Sequence, residues 1–288
     1  MRSWLMVPAA NEARLARAAS LPADVVVIDF HGPGASSGEV RARAAAWLAA
    51  QAPAPGRAAR WVRIRPVTAP QWREDLAAVM PARPDGVMMS AVEQPEDIRR
   101  LGSELYELEQ SHGMAPNSVP LVIELGASAR GAIGLERLAL DPHPRVAGVT
   151  WNPAMLARDL GSAAAPGRIG WPAALAQVRA QVVLTAKAMG VLALEAPSPV
   201  WRDAEAIERA CALARRDGFD AMAALHPAQL APINARFAAT EEELDEAARI
   251  VALFEDEPSA NVLPLAGRMI DRAQLARARQ VLASAAAG

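Results

Sequence analysis

The sequence predicts a (β/α)₈ barrel, or TIM barrel, followed by a C-terminal helical extension. Short apolar runs of strand length alternate with stretches of helical spacing eight times along the chain. The runs are almost wholly apolar, which is typical of a parallel sheet covered on both faces. Polar residues close several of them, among these Asp29, Glu124 and His226. In this fold such residues at the C-terminal ends of strands form the active site.

The elements follow in strict alternation. The expected strands are residues 4–8, 25–29, 61–66, 86–89, 121–124, 146–151, 191–195 and 221–226. The expected helices are residues 12–20, 39–50, 71–80, 95–110, 127–139, 172–189, 204–216 and 227–237. Asn11, Thr68 and Asp203 are expected helix N-caps, because their side-chain oxygens can accept N–H groups of the first turn. An open doubly wound sheet is the alternative, but no glycine-rich phosphate turn follows the first strand.

The barrel accounts for residues 1–238, and residues 239–288 exceed what its closure needs. Thr240 and Glu243 have the spacing of a capping box at the start of a helix that runs to about residue 255. The last helix, from Arg272, has an apolar face that should pack on another surface. We expect this segment to be a lid, an oligomerisation arm, or both.

Composition excludes several classes of function. A formal net charge of −2 over 288 residues argues against a nucleic-acid surface. No apolar stretch approaches the roughly 18 residues of a membrane span, and the chain enters a predicted strand directly, so we expect a cytoplasmic protein. The single cysteine, Cys211, cannot form a disulfide within the chain. The single lysine, Lys187, lies in a predicted helix, which argues against Schiff-base chemistry.

The end of the fifth predicted strand carries a candidate functional carboxylate. Glu124 follows an apolar run, so its burial requires a compensating partner. That partner is either a metal or substrate, or a salt bridge to Arg63 or Arg65, and the position at a strand end favours the first. Arg63 and Arg65 are two residues apart, so their guanidinium groups should point the same way and bind carboxylate or phosphate. One of them could instead only hold Glu124 or Asp29.

Two histidines follow predicted strands. Asp29 and His31 are expected on the same side of the chain, where His31 is either a ligand or proton carrier, or a solvated loop residue. His226 begins the last barrel helix, and its imidazole either takes part in function or hydrogen-bonds backbone at the end of the barrel.

Several segments together resemble a known family. They are residues 2–8, 23–29, 62–64, 121–124, 218–220, 226–229, 233–234 and 267–271. In these the chain is similar to the citrate lyase beta-subunit-like branch of the HpcH/HpaI aldolase superfamily, which includes malyl-CoA and citramalyl-CoA lyases. The resemblance covers nearly the whole chain.

The resemblance implies a metal-dependent carbon–carbon lyase acting on a CoA thioester or a small 2-oxo or hydroxy acid. Glu124 and an aspartate would hold Mg²⁺, which polarises the keto group, while Arg63 binds the carboxylate of the acid. Arg65, Asp29 and His31 are further candidate substrate-binding residues. Asp271, in the C-terminal segment, would be a general acid or base at the site of a neighbouring subunit, which implies a homo-oligomer, a trimer or a hexamer.

The chain departs from the family pattern at several of these positions. The family's Asp-Leu-Glu-Asp at the second strand reads Asp-Phe-His-Gly at residues 29–32, and its Pro-Lys after the fourth strand reads Ser-Ala at residues 90–91. At the sixth strand, Gly-Ala-Glu-Asp-Leu reads Asn-Pro-Ala-Met-Leu at residues 152–156. Met155 thus replaces the aspartate ligand, and its thioether is a poor ligand for Mg²⁺. We therefore expect weak Mg²⁺ binding or none.

Three hypotheses follow from these departures. The first is a divergent lyase that keeps Arg63, Glu124 and Asp271, with His31 or water completing the metal shell. The second is a homologue that has lost catalysis and binds a small acid or CoA ester. The third is a regulatory or assembly subunit. We prefer the first as the class of protein.

Overall fold

A closed barrel of parallel strands forms the larger part of the molecule in the computed structural model, which describes residues 1–32, 34–35, 37–51, 54, 56–167 and 170–286. The strands, in order around the barrel, are β1 (Ser3–Pro8), β2 (Val25–Asp29), β3 (Ala59–Ile64), β4 (Gly86–Val92), β5 (Leu121–Leu125), β6 (Val146–Trp151), β7 (Leu192–Glu195) and β8 (Ala221–Ala224). Each strand pairs with its neighbour in sequence, and β1 pairs with β8 to close the sheet. The predicted (β/α)₈ fold is confirmed.

Helices connect consecutive strands, and the last of them follows β8. They are α1 (Glu12–Ala18), α2 (Gly38–Ala50), α3 (Trp72–Val79), α4 (Pro95–Ser111), α5 (Ala129–Ile133), α6 (Leu135–Leu140), α7 (Pro153–Leu160), α8 (Ala173–Met189), α9 (Ala204–Arg216) and α10 (Leu230–Phe237). Asn11 and Asp203 cap α1 and α9 as predicted, each accepting a backbone N–H of the first turn. The prediction for Thr68 is wrong, because α3 begins only at Trp72, after Gln71.

Two connections differ from the predicted pattern. The helix expected over residues 127–139 is divided into α5 and α6, which meet at Gly134. After β6 the chain forms α7, which was not among the predicted helices; Asn152 caps it by accepting the backbone N–H of Met155. Pro153 at the first position of α7 suits a helix start, since proline lacks the N–H that would lie unpaired there.

Large side chains fill the barrel interior. Trp4 of β1 and Trp61 of β3 pack edge to face, with ring centroids 4.8 Å apart. Gly86 of β4 makes room for them, because a Cβ there would lie 2.5 Å from the Trp61 ring. The other buried members of this cluster are Val25, Val27, Met88, Val122, Leu194, Ala221 and Ala223. The interior is therefore a packed core, and the functional groups are left to the ends of the strands.

The chain forms two compact units, Met1–Arg236 and the segment from Phe237 onward. The second unit consists of α11 (Glu241–Asp256), β9 (Val262–Leu265), β10 (Arg268–Asp271) and α12 (Arg272–Ala286). Thr240 and Glu243 form the predicted capping box of α11. The strands β9 and β10 pair in an antiparallel hairpin.

The second unit has its own apolar core. The buried members of that core are Ala247, Ile250, Phe254, Leu263, Ile270, Leu275 and Ala278. Over the residues described, no helix of either unit has the length and apolarity to cross a membrane.

Candidate active site at the barrel mouth

Three predicted site residues meet at the C-terminal ends of neighbouring strands. Asp29 ends β2 and is paired in register with Arg63 of β3, and Glu124 lies near the end of β5. The Arg63 guanidinium joins the two carboxylates: Nη1 lies 3.1 Å from Asp29 Oδ2, and Nη2 lies 2.5 Å from Glu124 Oε2. The salt bridge considered for Glu124 is thus present, and Arg63 joins Asp29 and Glu124 at the C-terminal ends of the strands.

Two further groups hold Glu124. The backbone N–H of Ala91 donates to Oε1 at 3.2 Å, and Asn152 Nδ2 donates to Oε2 at 3.2 Å. Ala91 lies at an irregularity of β4 between Met89 and Val92, and its φ of 50° is in the left-handed region that non-glycine residues rarely adopt. This irregularity aims the Ala91 N–H at the carboxylate. Neither Ala91 nor Asn152 was predicted as a site residue. Ala91 acts through its backbone N–H, which leaves no mark in the sequence, whereas Asn152 acts through its side-chain amide.

Electrostatics keeps Arg63 charged although it is only 8% exposed. Burial alone would lower the pKa of Arg63, but the adjoining carboxylates of Glu124 and Asp29 raise it above its usual value. Arg63 Nε is buried and has no hydrogen-bond partner among the residues that the structure describes. Buried polar atoms are nearly always paired, so this unpaired N–H is a candidate contact for a ligand bound at the mouth.

His31 follows β2 at the same mouth. Its backbone N–H donates to Asp29 Oδ1 at 2.8 Å, while its side-chain Nε2 is buried and has no partner in the described part of the chain. Burial and the charges of Arg63 and Arg65 lower the pKa of His31, against the opposing effect of Asp29 and Glu124. The imidazole is therefore neutral at pH 7 and can accept a proton.

Arg65 pairs with a carboxylate of a surrounding helix. β3 ends at Ile64, so the alternation that would place both arginines on one side stops before Arg65. Its Nη1 donates to Asp75, a fully buried residue of α3 that also accepts from Arg41 Nε at 2.9 Å. This ion pair ties the end of β3 to the surrounding helices, and the expectation of two parallel guanidinium forks is not met.

His226 and Asp271 both act as helix caps. The Nδ1 atom of His226 accepts the backbone N–H of Ala228, which is the backbone role considered for this residue. The imidazole also stacks on the Trp201 ring, with ring centroids 4.2 Å apart. Asp271 Oδ1 accepts the backbone N–H of Gln274 at 2.9 Å in the first turn of α12. A capping role for Asp271 is therefore present in the second unit.

Glu195 is a buried carboxylate at the end of β7 that was not predicted as a site residue. It accepts from Trp151 Nε1 and from Arg179 Nε of α8, each at 2.6 Å. Its neighbour Leu194 belongs to the barrel core, so the alternation of β7 directs Glu195 outward, towards the helices. Burial raises the pKa of Glu195 although Arg179 opposes that change. We assign this cluster to the packing of α8 and β6 rather than to the mouth.

The mouth does not have the donor set of a Mg²⁺ site. Within the described part of the chain, no three His, Cys, Asp or Glu residues are grouped so that they could hold a metal ion. The oxygens of Asp29 and Glu124 accept hydrogen bonds from Arg63, His31, Ala91 and Asn152. Mg²⁺ prefers carboxylate oxygens and water in an octahedral shell, so these residues as arranged do not fit it.

Comparison with known proteins identifies relatives along the whole chain. The family model described as HpcH/HpaI aldolase/citrate lyase matches residues 2–227. The (3S)-malyl-CoA thioesterase of Cereibacter sphaeroides is 28% identical over 288 residues, covering 99% of this chain and 95% of that protein. Citrate lyase subunit beta of Escherichia coli is 25% identical, with coverage of 99% and 93%.

A solved structure shares the fold at similar identity. The protein CitE from Mycobacterium tuberculosis, in complex with magnesium, acetoacetate and coenzyme A, superposes with a TM-score of 0.69 at 26% identity. The match covers 99% of this chain and 98% of that one. The Mycobacterium protein therefore binds magnesium, whereas the mouth of this chain lacks a donor set that fits this metal.

Proposed function

The chain belongs to the HpcH/HpaI aldolase/citrate lyase family, and from this premise we propose that it is a carbon–carbon lyase acting on a CoA thioester or a small 2-oxo or hydroxy acid. The observation that carries the proposal is a pair of buried nitrogens at the mouth, Arg63 Nε and His31 Nε2, which have no hydrogen-bond partner among the described residues. They offer a donor for an acid's carboxylate beside a neutral base. We further propose that it is cytoplasmic, because CoA thioesters are intracellular metabolites and family members act on them. We also propose that it is a homo-oligomer, a trimer or hexamer.

The proposed reaction divides a 3-hydroxyacyl thioester. A base removes the hydroxyl proton, the new carbonyl forms as the carbon–carbon bond breaks, and the thioester enolate that leaves gains a proton. Arg63 Nε–H binds the carboxylate of the departing 2-oxo acid, and neutral His31, beside Asp29, accepts the hydroxyl proton. Asp271 of a neighbouring subunit is the proposed donor to the enolate, and Arg65 supports the mouth through Asp75. No step is assigned to Mg²⁺, which we propose binds weakly, through Glu124, or not at all.

The alternative is a homologue that binds a small acid or CoA ester without turnover, or serves as a regulatory or assembly subunit. Carboxylates of the family pattern are replaced around Glu124, and Met155 stands where that pattern has an aspartate. These replacements favour the alternative. The two proposals predict the same ligand but differ in whether products appear.

Malyl-CoA distinguishes these functions, because its products can be followed separately. We expect release of a 2-oxo acid, detected as its phenylhydrazone, without stoichiometric release of free CoA thiol. Arg63→Lys should lower kcat/KM by at least about tenfold, since lysine keeps the charge but loses the planar fork. The matched control is Arg73→Lys on α3, an exposed residue that pairs with Glu104.

Two outcomes contradict the lyase. Free thiol without a 2-oxo acid would indicate thioester hydrolysis, the activity in the name of the Cereibacter relative. Binding of malyl-CoA without either product, measured by calorimetry, would favour the homologue without turnover.

A further inference from the structure

The two carboxylates of the mouth share a cation that is part of the chain. Glu124 is 3% exposed and Arg63 8%, and the guanidinium contacts both Glu124 and Asp29. Buried carboxylates need a compensating charge, and here a covalently attached one supplies it. A divalent ion bound between them would have to displace the guanidinium and leave it buried without a partner.

We propose that Arg63 is the resident cation of this mouth, holding Glu124 and Asp29 in place of a divalent metal, so that the mouth binds a small 2-oxo acid without Mg²⁺. The polar groups around Glu124 fit this assignment. Ala91 and Asn152 both present N–H donors to it, and a metal ligand set would instead present oxygens. The proposal rests on the proposed function only for the choice of acid as ligand.

Residue 155 is the place where a metal ligand could be restored. Asn152 donates to Glu124 with its Nδ2 and accepts the N–H of Met155 with its Oδ1. Residue 155 is therefore joined to the carboxylate through a single side chain. Met155 offers only a thioether, which hard cations do not select.

Manganese binding tests the assignment without any substrate. We expect Mn²⁺ titration of the full chain, followed by electron paramagnetic resonance, to show no saturable site with a Kd below about 100 μM. Met155→Asp alone should leave the affinity for Mn²⁺ nearly unchanged, because Arg63 still pairs with both carboxylates. Arg63→Met combined with Met155→Asp should bind Mn²⁺ at least roughly tenfold more tightly than Met155→Asp, the lower end of effects seen around metal ligands.

The Mn²⁺ titration of the wild type tests the proposal even if the double variant does not fold. A tight Mn²⁺ site in the wild type, lost in Glu124→Gln, would overturn the proposal. The proposal would also be overturned if Met155→Asp, with Arg63 intact, bound Mn²⁺ as tightly as the double variant.

Ligand binding gives a second, independent measurement. The Kd of the wild type for oxaloacetate or pyruvate, measured by calorimetry, should be the same within twofold in EDTA and in millimolar Mg²⁺. A tenfold weaker affinity in EDTA would overturn the resident-cation assignment and leave the proposed lyase intact. Absence of acid binding in both buffers would contradict the proposed function. The Mn²⁺ titration would still test whether Arg63 takes the place of a metal.

Discussion

Glu109 and Arg145 form a fully buried ion pair, outside the mouth, between α4 and the start of β6. Their atoms meet in two contacts of 2.6 and 2.7 Å, and Glu109 also accepts the backbone N–H groups of Asn117 and Val119. Burial alone would raise the pKa of Glu109, but Arg145 and the two N–H donors lower it below 4.5. The pair therefore contributes stability above pH 4.5, and that contribution is lost as the pH falls through the lowered pKa.

Glu109→Gln should destabilise the protein by about 3–5 kcal/mol at pH 7, because it leaves Arg145 buried without its counter-ion. The difference from the wild type should narrow as the pH falls below 4.5. Urea unfolding at several pH values measures both effects. Glu96→Gln is the control: it removes an exposed pair with Arg99, worth at most about 1 kcal/mol. Equal effects of the two variants would contradict the role of burial.

At the level of single residues, the sequence predicted the mouth through one rule, polar residues at strand ends. That rule identified Asp29, Arg63 and Glu124, which the structure brings together. It could not assign their partners. Arg65 pairs with Asp75 because β3 ends one residue before it, and strand ends are not visible in an apolar pattern to that precision.

Strand β4 depends on a close approach of backbone to an aromatic ring. Gly86→Ala should destabilise the barrel by about 1–3 kcal/mol, because the added methyl would lie 2.5 Å from the Trp61 ring. Near-ultraviolet circular dichroism should show the change in tryptophan environment, and urea unfolding the loss of stability. Gly38→Ala, in the first turn of α2, is the matched control, since a Cβ there meets nothing within 4 Å. Similar losses in both variants would show that helix or strand propensity, rather than the clash, is responsible.

At the level of elements, strand positions were more predictable than helix boundaries. Apolar runs mark strands directly, so each expected strand overlaps an observed one. Helices α5 and α6 were expected as one, because Gly134 lies inside an otherwise helical pattern. Helix α7 was missed because residues 152–156 were compared with the family pattern at the sixth strand and no helix was assigned between β6 and α8. Its cap Asn152 also serves the mouth.

For the whole molecule, the segment from Phe237 is the proposed oligomerisation arm. We expect the full chain to sediment as a trimer or hexamer and a chain ending at Arg236 to sediment as a monomer that still unfolds cooperatively. The reason is that Val262 and Met269 of the β9–β10 hairpin are 46% and 64% exposed and offer apolar surface for contact. Monomers in both cases would contradict the arm and the role of Asp271 from a neighbouring subunit. An unfolded shorter chain would instead show that the barrel requires the segment.

The pairing of β1 with β8 has a consequence for the order of events on the ribosome. The two strands are joined in register at Ser3 and Met222, about 220 residues apart. At a synthesis rate of roughly 5–20 residues per second, the first strand waits about 10 to 45 seconds for its last neighbour to be made. During that interval the nascent sheet has two open edges, whose unpaired N–H and C=O groups are templates for pairing with other chains. Aggregation during synthesis is therefore a hazard for this protein until residues 221–224 are available to pair with β1.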